Sequence, residues 1–201
     1  MKQTNDIGAE RGLLGEEWTT KQIQKSKLFE HSKKLLRNVY LPNGKGSTSE
    51  LDIIWITKKG ILVFENKNYG GIIHGNDEKY TNWLNCNHKK QFLFYSPVKQ
   101  NQAHIKYLRT FLGQDVFCYS FIVFPMRCTL GEINYSASNT LVTKSDELAT
   151  KLDRLERTLP DVLTDEQINL FYRKLSPRSG KNVPESVKQK HIDDLSQKYE
   201  K

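Results

Sequence analysis

Two apolar runs carry the residues best suited to chemistry: LDIIWIT (51–57), interrupted by Asp52, and ILVFENK (61–67), which ends on Glu65 and Lys67. A lone carboxylate in an apolar strand is costly unless a partner compensates it. Only Lys58, Lys59 and Gly60 separate the runs, so they read as a β-hairpin with glycine at the turn position that needs positive φ. If Thr57 pairs with Gly60, residues whose numbers sum to 117 face each other, and Asp52 lies opposite Glu65. A glycine bulge would shift this register by one. Directly opposed Cβ atoms are about 4.5–5.5 Å apart, so the two carboxylates share one site and repel unless a proton or cation intervenes. A hard divalent ion removes the conflict, since Mg²⁺ typically takes one or two carboxylates and keeps several waters. Strand alternation puts Lys67 on the face of Glu65, where its ammonium can stabilise an attacked phosphate or help deprotonate water. Taken singly, each residue has an ordinary alternative: a strand-end salt bridge for Glu65 and Lys67, turn amides for Asp52.

The flanking segments must hold this hairpin in place. Apolar spacing predicts a helix over 8–28 and a strand over 35–41, ended by the turn cluster at 42–46. Short strands are expected near 71–75, 79–84 and 90–95, a buried strand over 118–124 and another over 140–143. Pro97 opens a helix over 98–112, which places Gln100 and His104 on one face, within reach of a phosphate or a water. Packing or surface exposure is the other reading for His104. Ser145 and Thr164 are expected to cap helices over 146–158 and 165–175. Strands mixed with helices point to an α/β fold with a mixed sheet flanked by helices. Residues 1–175 form one domain and 176–201 a charged C-terminal extension, a candidate surface for a protein partner or a second copy.

The 201-residue chain carries 31 Lys and Arg against 23 Asp and Glu, a net charge of +8. Seven basic and two acidic residues occupy 17–45, and six basic residues occupy 79–109 without an acid. Such a field favours polyanions. Lys89, Lys90 and Lys99, with His104, are the candidate nucleic-acid contacts. Tyr69, Tyr80, Trp83, Phe92, Phe94 and Tyr95 interleave with the lysines; base stacking and core packing both account for that pattern. No apolar run approaches the roughly 20 residues of a membrane span, and the N-terminus lacks a signal-peptide core. Three cysteines without CxxC spacing fit reduced thiols, hence a cytoplasmic protein. Cys86-x-His88 has no second ligand pair for structural zinc, Asn43-Gly-Lys-Gly-Ser47 is a turn rather than a phosphate-binding loop, and no Gly-x-Ser-x-Gly elbow is present.

Gly12-Leu-Leu-Gly15-Glu16, Glu50-Leu-Asp52-Ile, Phe64-Glu65-Asn-Lys67-Asn-Tyr-Gly70, Trp83 and Ser96-Pro97-Val-Lys-Gln100-Asn101 follow one another along the chain. This ordered set, over about 8–125, resembles the nuclease-related domain (NERD), grouped with the PD-(D/E)XK nucleases of restriction-endonuclease-like fold. The resemblance implies metal-dependent phosphodiester chemistry on Asp52, Glu65 and Lys67. It adds Glu16 from the first helix as a further acid and metal ligand, and Gln100 at the start of the helix that follows. The expected cofactor is Mg²⁺ or Mn²⁺ and the expected substrate is DNA. The alternative is a nucleic-acid-binding module of the same fold that does not cut.

Overall fold

The computed structural model describes residues 2–87 and 90–199, with side chains over 14–87, 90–194 and 196–197. In chain order the elements are α1 (Lys2–Lys25), α2 (Leu28–His31), β1 (Lys34–Pro42), β2 (Thr48–Thr57), β3 (Gly60–Asn66), β4 (Gly71–Asn76), β5 (Asn82–Cys86), β6 (Gln91–Tyr95), α3 (Pro97–Leu112), β7 (Cys118–Phe124), β8 (Cys128–Asn134), β9 (Thr140–Lys144), α4 (Leu148–Thr158), α5 (Asp165–Leu175) and α6 (Glu185–Tyr199). Two 3₁₀ turns, Ser176–Arg178 and Gly180–Asn182, link α5 to α6.

The β-branched and aromatic hairpin is the centre of a five-stranded mixed sheet, ordered β1-β2-β3-β7-β9. Thr57 pairs with Gly60, and the ladder runs in the expected register to Ile53 opposite Phe64. Gly60 has φ +120°, and a Cβ there would lie 2.8 Å from the Phe117 carbonyl oxygen, so this turn requires glycine. Alternation then splits the apolar residues between two faces. Ile54, Ile56, Ile61 and Val63 pack on Ile105 and Leu108 of α3 and Phe171 of α5. Ile53, Trp55, Leu62 and Phe64 pack on Ile23 of α1 and on Leu148 and Leu152 of α4. Each such side chain, fully buried, stabilises the fold by about 1.5–3 kcal/mol.

The remaining strands form a second sheet, β6-β5-β4-β8. Trp83, Ile73 and Cys128 join it to Phe124 and Val98 in a third core cluster. The division into two sheets and the strand β8 were not expected. Ser145 also departs from expectation: α4 begins after Glu147, which makes no side-chain cap bond, and the Ser145 hydroxyl has no hydrogen-bond partner. Thr164 does cap α5, through a reciprocal capping box with Gln167. The charged C-terminal segment forms α6, whose His191 is buried beside Tyr40 of β1, ring centroids 5.5 Å apart. No described helix is long and apolar enough to cross a membrane.

Candidate active site

A local irregularity in the sheet aims Asp52. In the β1–β2 ladder Arg37 faces Ile53 and Val39 faces Leu51, so Asn38 stands across from Asp52, yet these two do not pair. Asn38 adopts φ +48°, the left-handed region that asparagine tolerates better than most residues. On both strands the parity of the core-facing residues changes here. Leu36, Val39 and Leu41 share one core cluster, as do Leu51, Ile54 and Ile56. Irregularities of this kind bend a strand and redirect a side chain. Asp52 Oδ2 accepts from the backbone N–H of Asn66 at 2.7 Å, and the Asn66 side-chain amide lies 3.4 Å from the same oxygen. Regular pairing therefore stops one step before Asp52 meets Glu65. Part of the Asp52 surface stays accessible, although protein atoms crowd its carboxyl. Burial pushes that carboxyl well above the ordinary range, and the charges of Glu65 and then Glu16 add to the shift.

Glu65, 2% exposed, is the most enclosed acid of the group. Its Oε1 receives the Lys67 ammonium at 2.7 Å, and Lys67 also donates to Gln100 Oε1 at 2.9 Å. Burial pulls the Lys67 ammonium down, but Glu65 and Asp52 outweigh it and the net shift is upward, so Lys67 stays charged. His104 Nδ1 lies 3.4 Å from Glu65 Oε2, out of line for a hydrogen bond, and both atoms are buried without a hydrogen-bond partner. Burial lowers the His104 pKa despite the carboxylate beside it, which favours neutral imidazole.

Helix α3 delivers Gln100 and His104 to this place. The Ser96 hydroxyl accepts from Lys99 N–H at 3.1 Å and Pro97 occupies the first turn. Asn101, fully buried, donates to the Val63 carbonyl and to Ser120 Oγ at 2.9 Å each, bolting the helix to β3 and β7.

Glu16 reaches the same neighbourhood from α1 but is otherwise engaged. Its Oε2 accepts from Asn38 at 3.0 Å and from Arg37 at 3.3 Å. Asn38 also donates to Glu50 at 3.1 Å, and His191 lies 3.8 Å from Glu50. Burial raises the Glu16 pKa, and the contacts to Asn38 and Arg37 oppose that rise.

Among the described residues no three His, Cys, Asp or Glu side chains gather at metal-ligating spacing. Asp52 and Glu65 remain as a two-carboxylate set, the number Mg²⁺ commonly takes while keeping several waters. Glu65 Oε2, buried and unpartnered, is the atom that suits a cation best.

The candidate nucleic-acid residues are dispersed. Lys90 stands 5.6 Å over the Phe92 ring, Lys99 donates to the Tyr80 carbonyl at 2.8 Å, His104 is buried against Glu65, and Lys89 lies outside the described residues. The aromatic run divides as well. Trp83 is buried and donates to Asp77 at 2.7 Å, whereas Tyr80 and Tyr95 are exposed. Sequence reasoning missed Asn38, Arg37 and Asn66. The one signal available was a lone asparagine inside each β-run, at 38 and at 66.

Residues 11–125, more than half of the chain, match the family model described as nuclease-related domain. The chain is also similar to an uncharacterized Bacillus anthracis protein, 28% identical over 192 residues that span 95% of this chain and 86% of the relative. No solved structure matches it. The match covers α1 from residue 11 onward, the Asp52–Lys67 hairpin and the Gln100–His104 helix together, and the chain belongs to the nuclease-related domain family.

Proposed function

We propose that this protein is a metal-dependent nuclease that hydrolyses phosphodiester bonds in DNA. One observation carries the reading: a buried glutamate holds a lysine by one oxygen and leaves its other oxygen unpartnered, beside an aspartate whose carboxyl is pushed far up. Buried carboxyls pushed up as Asp52 is cluster at functional sites. Asp52 and Glu65 would hold Mg²⁺ or Mn²⁺, which when bound supplies an electrophile and lowers the pKa of an attacking water. Glu16 adds negative field through its influence on Asp52.

Lys67, kept charged by Glu65 and aimed by Gln100, meets the phosphate as negative charge builds on it. Gln100 Oε1 fixes the ammonium, so its own role is to position Lys67. Neutral His104 can accept a proton, and the imidazolium so formed would lie against the Glu65 carboxylate that offsets its charge. The basic surface supplies non-specific attraction to the substrate backbone.

The test is digestion of linear, circular and single-stranded DNA with Mg²⁺, Mn²⁺ or EDTA. Cleavage is expected with either metal, none with EDTA, and none for Asp52→Asn or Glu65→Gln. Salt-sensitive binding without cleavage under any condition would favour the non-cutting module instead.

A further inference from the structure

Lys67 also lines a cavity of about 730 Å³ on the α1 side of the site. That size lies within the roughly 300–1,000 Å³ typical of small-ligand sites. Trp18, Tyr69 and Phe92 give it aromatic walls, and Lys67, Lys90 and Arg127 give it cations. Trp18 is 45% exposed, unusual for a residue on the helix that covers a core. Phe92 stands edge-on to Tyr69 at 5.4 Å between centroids.

Two further wall residues have unmet polar capacity. Asn85, 1% exposed, donates to the Gly70 carbonyl, but its Oδ1 has no hydrogen-bond partner. Ser145, 4% exposed, has an unpartnered hydroxyl. Buried polar atoms left without partners are uncommon and call for an explanation. The residue expected to cap α4 thus belongs to the wall of this cavity, its hydroxyl buried and unbonded.

We propose that this pocket receives an unpaired nucleobase from the strand whose phosphate meets Lys67, so that the substrate is single-stranded or carries an unstacked nucleotide at the cut. The proposal rests on the nuclease reading for that phosphate. Aromatic walls stack any base, and the cations track the backbone on either side. A paired base cannot enter, because its faces are stacked and its edge is occupied by its complement.

The test uses the full chain without metal, so that binding is read apart from cleavage. Fluorescein-labelled oligonucleotides are titrated as a single strand, a blunt duplex and a duplex with one unpaired base, in DNA and in RNA. A strand carrying a fluorescent base analogue, quenched by stacking, is titrated alongside. Single-stranded and unpaired-base forms, on either sugar, are expected to bind about 10-fold tighter than the blunt duplex, the scale of one base–aromatic stack. Trp18→Ala and Phe92→Leu, checked for folding by circular dichroism, are expected to remove that preference and the quenching. Equal affinity for single strand and duplex overturns the proposal, as does undiminished preference in both folded variants. Cleavage with Mg²⁺ is scored separately. No cleavage with the strand preference intact overturns the nuclease reading and leaves the pocket standing. Cleavage without strand preference overturns the pocket alone.

Discussion

Acids flank Asp52 on two sides, a pair on one and Glu65 on the other, and they are compensated differently. On the α1 side Glu16 and Glu50 are clasped by the single amide of Asn38, with Arg37 and His191 alongside. On the α3 side Glu65 has one oxygen on Lys67 and the other beside an imidazole that does not bond to it. The first arrangement places the Asn38 amide and one terminal nitrogen of Arg37 on carboxylates and ties α1, β1 and α6 together, with Arg37 Nε buried and unbonded. The second leaves a carboxylate oxygen and the imidazole nitrogen beside it both unbonded in a buried place, where unused capacity is destabilising. The α1 side therefore holds the fold, and the α3 side is built for something that arrives. If the contrast is right, substitutions on the α3 side remove activity and spare stability, and those on the α1 side do the reverse.

Glu65→Gln should have the largest effect. It removes the charge that keeps Lys67 protonated and the oxygen best placed for a cation. Cleavage should fall by more than the ~10²–10³ of losing one stabilising donor, while far-ultraviolet circular dichroism stays that of a folded protein. A variant that cuts normally would place the chemistry elsewhere.

Lys67→Met comes next. Interactions that strengthen only in the transition state lower rate more than binding, so the rate should drop on the order of 10²–10³. DNA affinity should change little, because one phosphate contact among several is a small share of a salt-dependent affinity. A parallel loss of rate and affinity would make Lys67 a binding residue.

Asn38→Ala probes the other side. It removes two hydrogen bonds to carboxylates and places a Cβ-bearing residue without asparagine's local bonding at φ +48°. The expected loss is about 2–3 kcal/mol, near 4–12 °C in Tm at the ~2–4 °C per kcal/mol of chains this long. Cleavage at a temperature where the variant is folded should fall far less than with Lys67→Met. Asn38→Gly separates the two causes, since it relieves the backbone and still lacks the bonds.

The hairpin was legible because its register depends on three turn residues and a period of two. Thr57 opposite Gly60 follows from them, and so does Ile53 opposite Phe64. The last step to Asp52 was not legible, because it depends on Asn38, a residue of a different strand whose left-handed backbone leaves no periodic trace. Lys67 beside Glu65 followed from alternation, and His104 on the Gln100 face from helical spacing. That His104 is turned inward depends on Asn101 bolting α3 to Val63 and Ser120, a tertiary contact. Strand β8 escaped notice because CTLGEIN mixes a glycine and a charge into a largely exposed segment. The second sheet escaped because local pattern identifies strands but not their partners. Ser145 has the composition of a cap, yet α4 starts after Glu147.

The smallest expected effect tests Asp52, where the two sides meet. Burial, Glu65 and Glu16 hold its carboxyl well above the usual range. The unfolded chain releases that proton near the ordinary value of about 3.9, and the folded chain keeps it to higher pH. Between those two points the folded state binds more protons than the unfolded state, so stability declines as pH rises across the interval. Below it both states are protonated and the decline is absent. Asparagine mimics the protonated form and can still accept from Asn66 N–H. In EDTA, Asp52→Asn should therefore melt above wild type at neutral pH, with the gap closing as the pH falls toward 4. Added Mg²⁺ should raise the wild-type Tm by mass action and leave the variant unmoved, narrowing or reversing the gap. Melting curves at two pH values, with and without metal, decide it. If the variant is the less stable protein in EDTA at both pH values, Asp52 is compensated like Glu16, and the contrast between the two sides of the sheet does not hold.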